Sequence, residues 1–219
     1  MASSMTACST GSEGGPLVVP AGSVRGGAVR LPGPGLGVAI ADFAYYLPEG
    51  VITNADLAKM VDTSNEWIVE RTGIRSRHRA ASEQATSDLA LHAAQRAMER
   101  AGVTAGELDM LLVATATPDS PVPSTACLLQ ARLEAWNSAA MDLNAGCSGF
   151  LYALHTAACF VRAGAARRVL VLGAETLTRV TDYSDRRSCI LFGDGAGAAL
   201  ATTPGIAASR AGGRGQWME

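Results

Sequence analysis

Cys147 stands in the run Ala145-Gly146-Cys147-Ser148-Gly149, where a short apolar segment ends and a helix-compatible one begins. The two glycines permit a sharp, close backbone on either side of the thiol. A thiol at the start of a helix meets the positive end of the macrodipole and amides that lack intrahelical partners. Both favour the thiolate, the nucleophilic form. The same amides can hold the oxyanion that develops when a thioester or ester carbonyl is attacked. The competing expectation is that the residue is a small core hydrophobe, since free cysteine is among the most buried residue types. Cys127, Cys159 and Cys189, inside expected helices or strands, are assigned that structural part.

A cysteine nucleophile is commonly served by a histidine, and the layout is that of a nucleophile elbow with sulfur in place of oxygen. The chain offers only His78, His92 and His155. His155 follows Cys147 on the same expected helix, ~12 Å along the axis and rotated off its face. His78 lies in Arg75-Ser76-Arg77-His78-Arg79, expected to be a solvated basic stretch, and His92 sits opposite an alanine stripe. None of the three is placed to touch the sulfur. A hydrolase using this elbow is therefore the weaker expectation.

Thr63-Ser64-Asn65-Glu66 has the spacing of a capping box, with the Thr63 hydroxyl accepting from the Glu66 amide. On the helix it opens, Trp67 and Arg71 are four apart and share a face. An indole offers a flat stacking surface, and a guanidinium suits both stacking and phosphate. An interface Trp beside a surface Arg fits the spacing equally well. Arg186, among Asp182, Asp185 and Arg187, reads by itself as part of a solvated charged loop.

These residues need a scaffold, and the chain supplies one. Gly37–Tyr46 reads as a first strand. A helix from Thr86 or Ser87 carries Leu89, Ala90, Ala93, Ala94, Ala97, Met98 and Ala101 at helical spacing and stops at Gly102. Met110–Thr117, Ala140–Asn144 and Arg168–Ala174 read as apolar strands. The helices between them run from Ser124 to about Leu133 and from the cysteine turn through Ala163 to Gly164. Strand and helix in alternation imply an α/β fold: a mainly parallel sheet flanked by helices on both faces, with right-handed crossovers. Cys189–Phe192 and Gly197–Thr202 add two expected strands around the Gly193–Gly197 turn. That turn lacks GxGxxG spacing and a following helix, so it is no dinucleotide site.

Residues 1–36 are rich in Gly, Pro, Ser and Ala and read as a disordered leader, 37–203 as the folded unit, and 204–219 as a Gly/Arg-rich truncated end. The 219 residues are 48% hydrophobic and 17% charged, enough apolar content for a sizeable core. Eighteen basic and 20 acidic side chains give a net charge of −2, which argues against nucleic acid as the partner. No apolar run reaches membrane-span length, and the first thirty residues hold no compact apolar stretch after a basic start, so a secretory signal is not expected. Five cysteines without a CxxC pair fit neither a disulfide framework nor a zinc cage and point to a reducing, cytoplasmic setting.

The segment Asp142-Leu143-Asn144-Ala145-Gly146-Cys147-Ser148-Gly149-Phe150 resembles the active-site segment of 3-oxoacyl-(acyl-carrier-protein) synthase III. Three further matches occur in order. They are Thr63 through Arg75, then Ala114-Thr115-Ala116-Thr117-Pro118-Asp119, then Asp185-Arg186 with Phe192 through Ala198. The resemblance covers about residues 37–203. It implies a thiolase-like fold, of which this chain is the N-terminal βαβαβ half with the C-terminal half missing. It also implies that Cys147 takes an acyl group from acyl-CoA, and that malonyl-acyl carrier protein then loses CO2 and attacks the acyl-cysteine. Trp67 and Arg186 match the residues that sandwich the adenine of coenzyme A, with Thr63 and Arg71 lining the same entrance. No metal or redox cofactor is implied. The implied partners are acyl carrier protein and a second protein chain, either in a homodimer or as the complementing C-terminal half. The family's catalytic His and Asn belong to that half. A bulky aromatic that closes the acyl pocket in much of the family has Val122 in its place. A partner subunit or truncated remnant without activity is the alternative.

Overall fold

The structure, a computed structural model, describes residues 37–204. The expected leader (1–36), the expected end after Pro204 and Cys8 lie outside the described residues.

Among the described residues seven strands and five α-helices follow one another. They are β1 (Ala39–Tyr46), β2 (Gly50–Thr53), α1 (Asn54–Leu57), α2 (Asn65–Thr72), β3 (Ser76–Arg79), α3 (Thr86–Ala101), β4 (Met110–Ala114), α4 (Thr125–Leu133), β5 (Ala139–Leu143), α5 (Gly149–Arg162), β6 (Arg168–Thr176) and β7 (Asp194–Thr202). The main sheet has the order β1-β7-β6-β4-β5. β4 pairs in parallel with β5 and β6, whereas β7 runs antiparallel to both β6 and β1, so the sheet is mixed.

Strand alternation divides the core. Leu111, Val113, Leu170, Leu172 and Leu200 face α3 and α4; Met110, Leu112, Val169, Val171 and Ala201 face α5. Burial on both faces explains why β4 and β6 read as uninterrupted apolar runs. The chain steps from β4 to β5 through α4 and back past β4 to β6 through α5. A constant right-handed crossover puts those helices on opposite faces. The glycine stops expected for α3 and α5 are present, Gly102 at φ 62° and Gly164 at φ 71°.

Several local expectations are corrected. The N-cap of α2 is Ser64, whose hydroxyl accepts from the Trp67 amide at 3.1 Å, not Thr63. One residue of register turns the Thr63 hydroxyl inward, where it is buried without a hydrogen-bond partner. Cys189–Phe192 is not a strand but a tight turn, closed by Cys189 N–H on Asp185 O (3.0 Å) and Leu191 N–H on Ser188 O (3.0 Å). Its apolar members Cys189 and Ile190 pack with Ile52, Leu57 and Ile68 in a separate small core. The glycine run lies within β7 from Asp194 onward, rather than forming a turn between strands.

The basic stretch Ser76–Arg79 is β3, paired antiparallel with β2 in a two-stranded sheet. Arg77 is 5% exposed, so it is not solvated. Its guanidinium donates to Asn54 Oδ1 (2.8 Å), Ile190 O (2.6 Å) and Ile52 O (3.4 Å). Those acceptors make its burial tolerable. The strand expected to reach Thr117 stops at Ala114, because the carboxylate of Glu175 pulls the next three residues into a turn. No helix among the described residues is long and apolar enough to cross a membrane.

Candidate functional site

The carboxyl ends of the three parallel strands build one corner. After β5, residues Gly146–Ser148 make a single 3-10 turn that runs into α5, with Gly146 at φ 52°. Cys147 rides on that turn and is exposed. Its thiol is therefore reachable from solvent, as a nucleophile must be. Gly149, the first residue of α5, lies so close to β4 that an added Cβ would be 3.2 Å from the Ala114 Cβ. This close approach fixes where α5 starts and hence where the thiol stands.

Only part of the expected set of free amides is present. Ser148 N–H bonds Ala145 O (3.2 Å), Gly149 N–H bonds Gly146 O, and Gly146 N–H points to Asn144 Oδ1 (3.4 Å). In this turn the Cys147 amide alone is left without an acceptor among the described residues. The 3-10 geometry, which closes i to i+3, uses up the neighbouring donors before α5 begins.

Two carboxylates hold the surroundings in place. Asp142, on β5, accepts from the Thr125 (2.8 Å) and Ala126 (2.7 Å) amides and so caps α4. Glu175, on β6, accepts from the Ala116 amide (2.8 Å), from the Thr115 hydroxyl (3.4 Å) and, in a short contact, from the Thr117 hydroxyl. Nothing in the spacing around Glu175 singles it out from the sequence alone. A carboxylate at the end of an otherwise apolar strand was the available signal.

The contacts recorded for the three histidines are with other residues than Cys147. His155 Nε2 contacts Cys159 Sγ at 3.7 Å, His78 Nδ1 meets Pro48 O at 2.7 Å, and the His92 ring lies 4.4 Å from that of Tyr46. Cys127 and Cys159 are half-buried and Cys189 is buried, where desolvation pushes its thiol up. No group of side chains among the described residues could hold a metal ion.

The second cluster gathers on α2. The guanidinium carbons of Arg71 and Arg186 lie 4.6 and 5.0 Å from the centroid of the Trp67 ring. Arg186 is not simply solvated: it donates to Asp62 O at 2.9 Å and lies 3.6 Å from the Asp62 carboxylate. Thr63, with its unpartnered hydroxyl, is next in sequence. Trp67, Arg71 and Arg186 therefore form one cluster although Arg186 lies more than a hundred residues from the other two, and Thr63 follows the Asp62 that Arg186 contacts. A cavity of about 260 Å³ lies elsewhere, between β1, β7 and Phe150.

Sheet order, an exposed cysteine on the turn into α5 and the paired cationic–aromatic cluster define a thiolase-like α/β unit. The family model of 3-oxoacyl-[acyl-carrier-protein (ACP)] synthase III matches residues 141–212. The beta-ketoacyl-[acyl-carrier-protein] synthase III of Xanthomonas oryzae pv. oryzae is 62% identical over 161 residues, which are 74% of this chain and 50% of that protein. That of Thiobacillus denitrificans is 56% identical over 168 residues. Among solved structures, 3-oxoacyl-[acyl-carrier-protein] synthase III from Aquifex aeolicus superposes with a TM-score of 0.74 at 49% identity, covering 76% of this chain and 54% of that one. The priming beta-ketosynthase of the R1128 polyketide pathway gives 0.75 at 36% identity, covering 80% and 52%. The chain is a homologue of the beta-ketoacyl-[acyl-carrier-protein] synthase III family and spans about half the length of the relatives it matches.

Proposed function

We propose that this chain is the acyl-accepting half of a type III condensing enzyme acting in fatty-acid or polyketide biosynthesis in the cytoplasm. The observation that carries the proposal is the exposed thiol of Cys147 on the glycine-flanked turn into α5, within a segment that resembles the family's active site. The Cys147 thiolate attacks the acyl carbon of acyl-CoA, forming a C–S bond and placing negative charge on the former carbonyl oxygen. The Cys147 amide, lacking an acceptor, is the local donor for that oxyanion. Collapse breaks the bond to the coenzyme A sulfur, and the leaving thiolate takes up the proton that Cys147 gave away. The products are acyl-Cys147 and free coenzyme A, with no metal or redox group in the balance.

Trp67 and Arg186 would receive the adenine, with Thr63 and Arg71 beside it. The inward, unpartnered Thr63 hydroxyl supports this assignment, since a buried hydroxyl without a partner costs about 1–3 kcal/mol until something meets it. Condensation with malonyl-acyl carrier protein draws on the His and Asn that the resemblance assigns to the other half, so it is expected only from a complete assembly.

The test is intact-mass measurement after incubation with acetyl-CoA and with longer acyl-CoAs. One acyl group should appear on the chain and none on Cys147→Ala. Equal acyl mass on both proteins would sink the assignment. The alternative is a partner subunit without chemistry of its own, for which Cys147 would stay unacylated.

A further inference from the structure

Glu175 is the one carboxylate on β6, and strand alternation decides where it points. Val169 and Val171 face α5, and a Cβ on Gly173 would lie 3.3 Å from the Phe150 ring of that helix. Glu175 continues the same row one step past the apolar core. In register, Gly173 lies beside Ala114 and Ala114 beside Leu143. The half-buried carboxylate therefore stands on the face, and at the strand ends, where α5 begins.

Its hydrogen bonds among the described residues all end on one turn. One oxygen accepts from the Ala116 amide (2.8 Å); the other accepts from the Thr115 hydroxyl (3.4 Å) and, in a short contact, from the Thr117 hydroxyl. Each hydroxyl also accepts from an amide, Thr115 Oγ1 from Thr117 N–H (3.1 Å) and Thr117 Oγ1 from Thr176 N–H (2.9 Å). Those amides direct the single proton of each hydroxyl toward the carboxylate. The turn is bonded in its own right to the strand that leads to the cysteine, since Thr115 N–H donates to Leu143 O at 3.2 Å. That carbonyl is part of the seat of α5: a Cβ on Gly149 would lie 3.8 Å from it and 3.2 Å from the Ala114 Cβ. Cys147 is two residues before Gly149.

We infer that Glu175 is a positioning residue for Cys147. Through the 115–117 turn it holds the Leu143 carbonyl on which the start of α5 is seated, and so sets the direction of the thiol and of the Cys147 amide. Its bonds go to the turn and not to the reacting atoms, so it governs aim and leaves the attack to the thiolate. Its chemical meaning rests on the acylation proposed above. Its main readout needs no acyl-CoA, so the two can fail separately.

Thr117 separates hydrogen bonding from packing. Thr117→Val keeps the shape and removes the donor, whereas Thr117→Ser keeps the donor and loses a methyl group. Glu175→Gln keeps the shape but turns donors toward hydroxyls that already accept from amides. In amide hydrogen exchange read by mass spectrometry, peptides covering 112–118 and 143–150 should open about 10- to 150-fold more often in Glu175→Gln and Thr117→Val, the range for one charged hydrogen bond. Thr117→Ser should exchange at the parent rate, and the β2–β3 lobe should be unchanged in all three. In single-turnover acylation by acetyl-CoA, Glu175→Gln and Thr117→Val should lower the saturating rate and leave the half-saturating concentration unchanged, because Trp67 and Arg186 are untouched. Faster exchange confined to 112–118, or spread evenly over the chain, would overturn the inference. So would Thr117→Ser behaving like Thr117→Val. A parent chain that takes up no acyl group would count against the acylation alone, and the exchange pattern would still decide the part of Glu175.

Discussion

Gly149 and Ala114 hold the site's geometry between them: a Cβ on Gly149 would lie 3.2 Å from that of Ala114. Gly149 is helical (φ −55°), so Gly149→Ala would gain about 1 kcal/mol of helix propensity if space allowed. The obstructing methyl is fixed to a buried central strand and cannot rotate away. Overpacking of this kind costs about 1–3 kcal/mol, so it outweighs the gain. Gly149→Ala should therefore lower urea-unfolding stability by about 1 kcal/mol. It should also slow Cys147 alkylation by iodoacetamide, since the start of α5 must shift. Unchanged stability together with an unchanged alkylation rate would separate the glycine from the placement of the thiol.

The coenzyme A site proposed at Trp67 and Arg186 makes a prediction about affinity. Base–aromatic stacking contributes about 1–3 kcal/mol, so Trp67→Ala should weaken coenzyme A about 5- to 150-fold in a fluorescence-independent titration. Arg186→Lys keeps the charge but loses the planar guanidinium and should weaken it nearly as much as Arg186→Ala. Equal affinity of Arg186→Lys and the parent chain would remove Arg186 from the stacking role.

Local signals were legible and distant pairings were not. The runs of β4 and β6, the stripe of α3 and the glycine-flanked turn at Cys147 are each set by neighbouring residues, and the chain forms them, with β4 stopping three residues short of its expected end. The β2–β3 pairing joins Gly50 to Arg79 across two intervening helices, and four residues with three charged or ionisable members give no alternation to see. Arg77 becomes a core residue only because Asn54 and Ile190 meet it from 23 and 113 positions away. Arg186 reaches Trp67 in the same non-local way, so spacing alone left it in a charged loop. Thr63 and Ser64 differ by one residue of helix register, which composition could not resolve.

Arg77 ties the small β2–β3 lobe to the Cys189–Phe192 turn. Burial pushes its guanidinium below its ordinary value, yet it stays charged at neutral pH. An ammonium cannot reach Asn54 Oδ1 and Ile190 O together with the geometry of the fork. Arg77→Lys should cost about 2–3 kcal/mol in chemical unfolding, the worth of one charged hydrogen bond left unmade. A loss below about 0.5 kcal/mol would mean that the lobe holds without it.

Glu134 ends α4 in the left-handed conformation at φ 58°, the only non-glycine residue with positive φ among the described ones. An L-residue there is strained by about 1–2 kcal/mol, while glycine brings back part of that as unfolded-state entropy. Glu134→Gly should stabilise the chain by about 0.5–1 kcal/mol, and Glu134→Val should destabilise it. Calorimetry of both variants against the parent decides the sign.

Cys189 predicts an alkaline weakness. Its thiol lies in the small core with Ile52, Leu57 and Ile68, where burial first and the Asp185 carboxylate second push it up, against a smaller opposing effect of Arg77. Between the ordinary thiol value, about 8.5, and the raised folded one, the unfolded chain has already lost a proton that the native chain keeps. The unfolded state then binds fewer protons, so stability falls as pH rises through that window and is unaffected below it. Tyr183, also raised by burial, adds a further fall only from about pH 10 upward. Melting temperatures of the parent should drop more between pH 7.5 and about 9.5 than those of Cys189→Ala, whose absolute stability is lower throughout. Parallel curves would place the alkaline loss on other groups and leave Cys189 as packing alone.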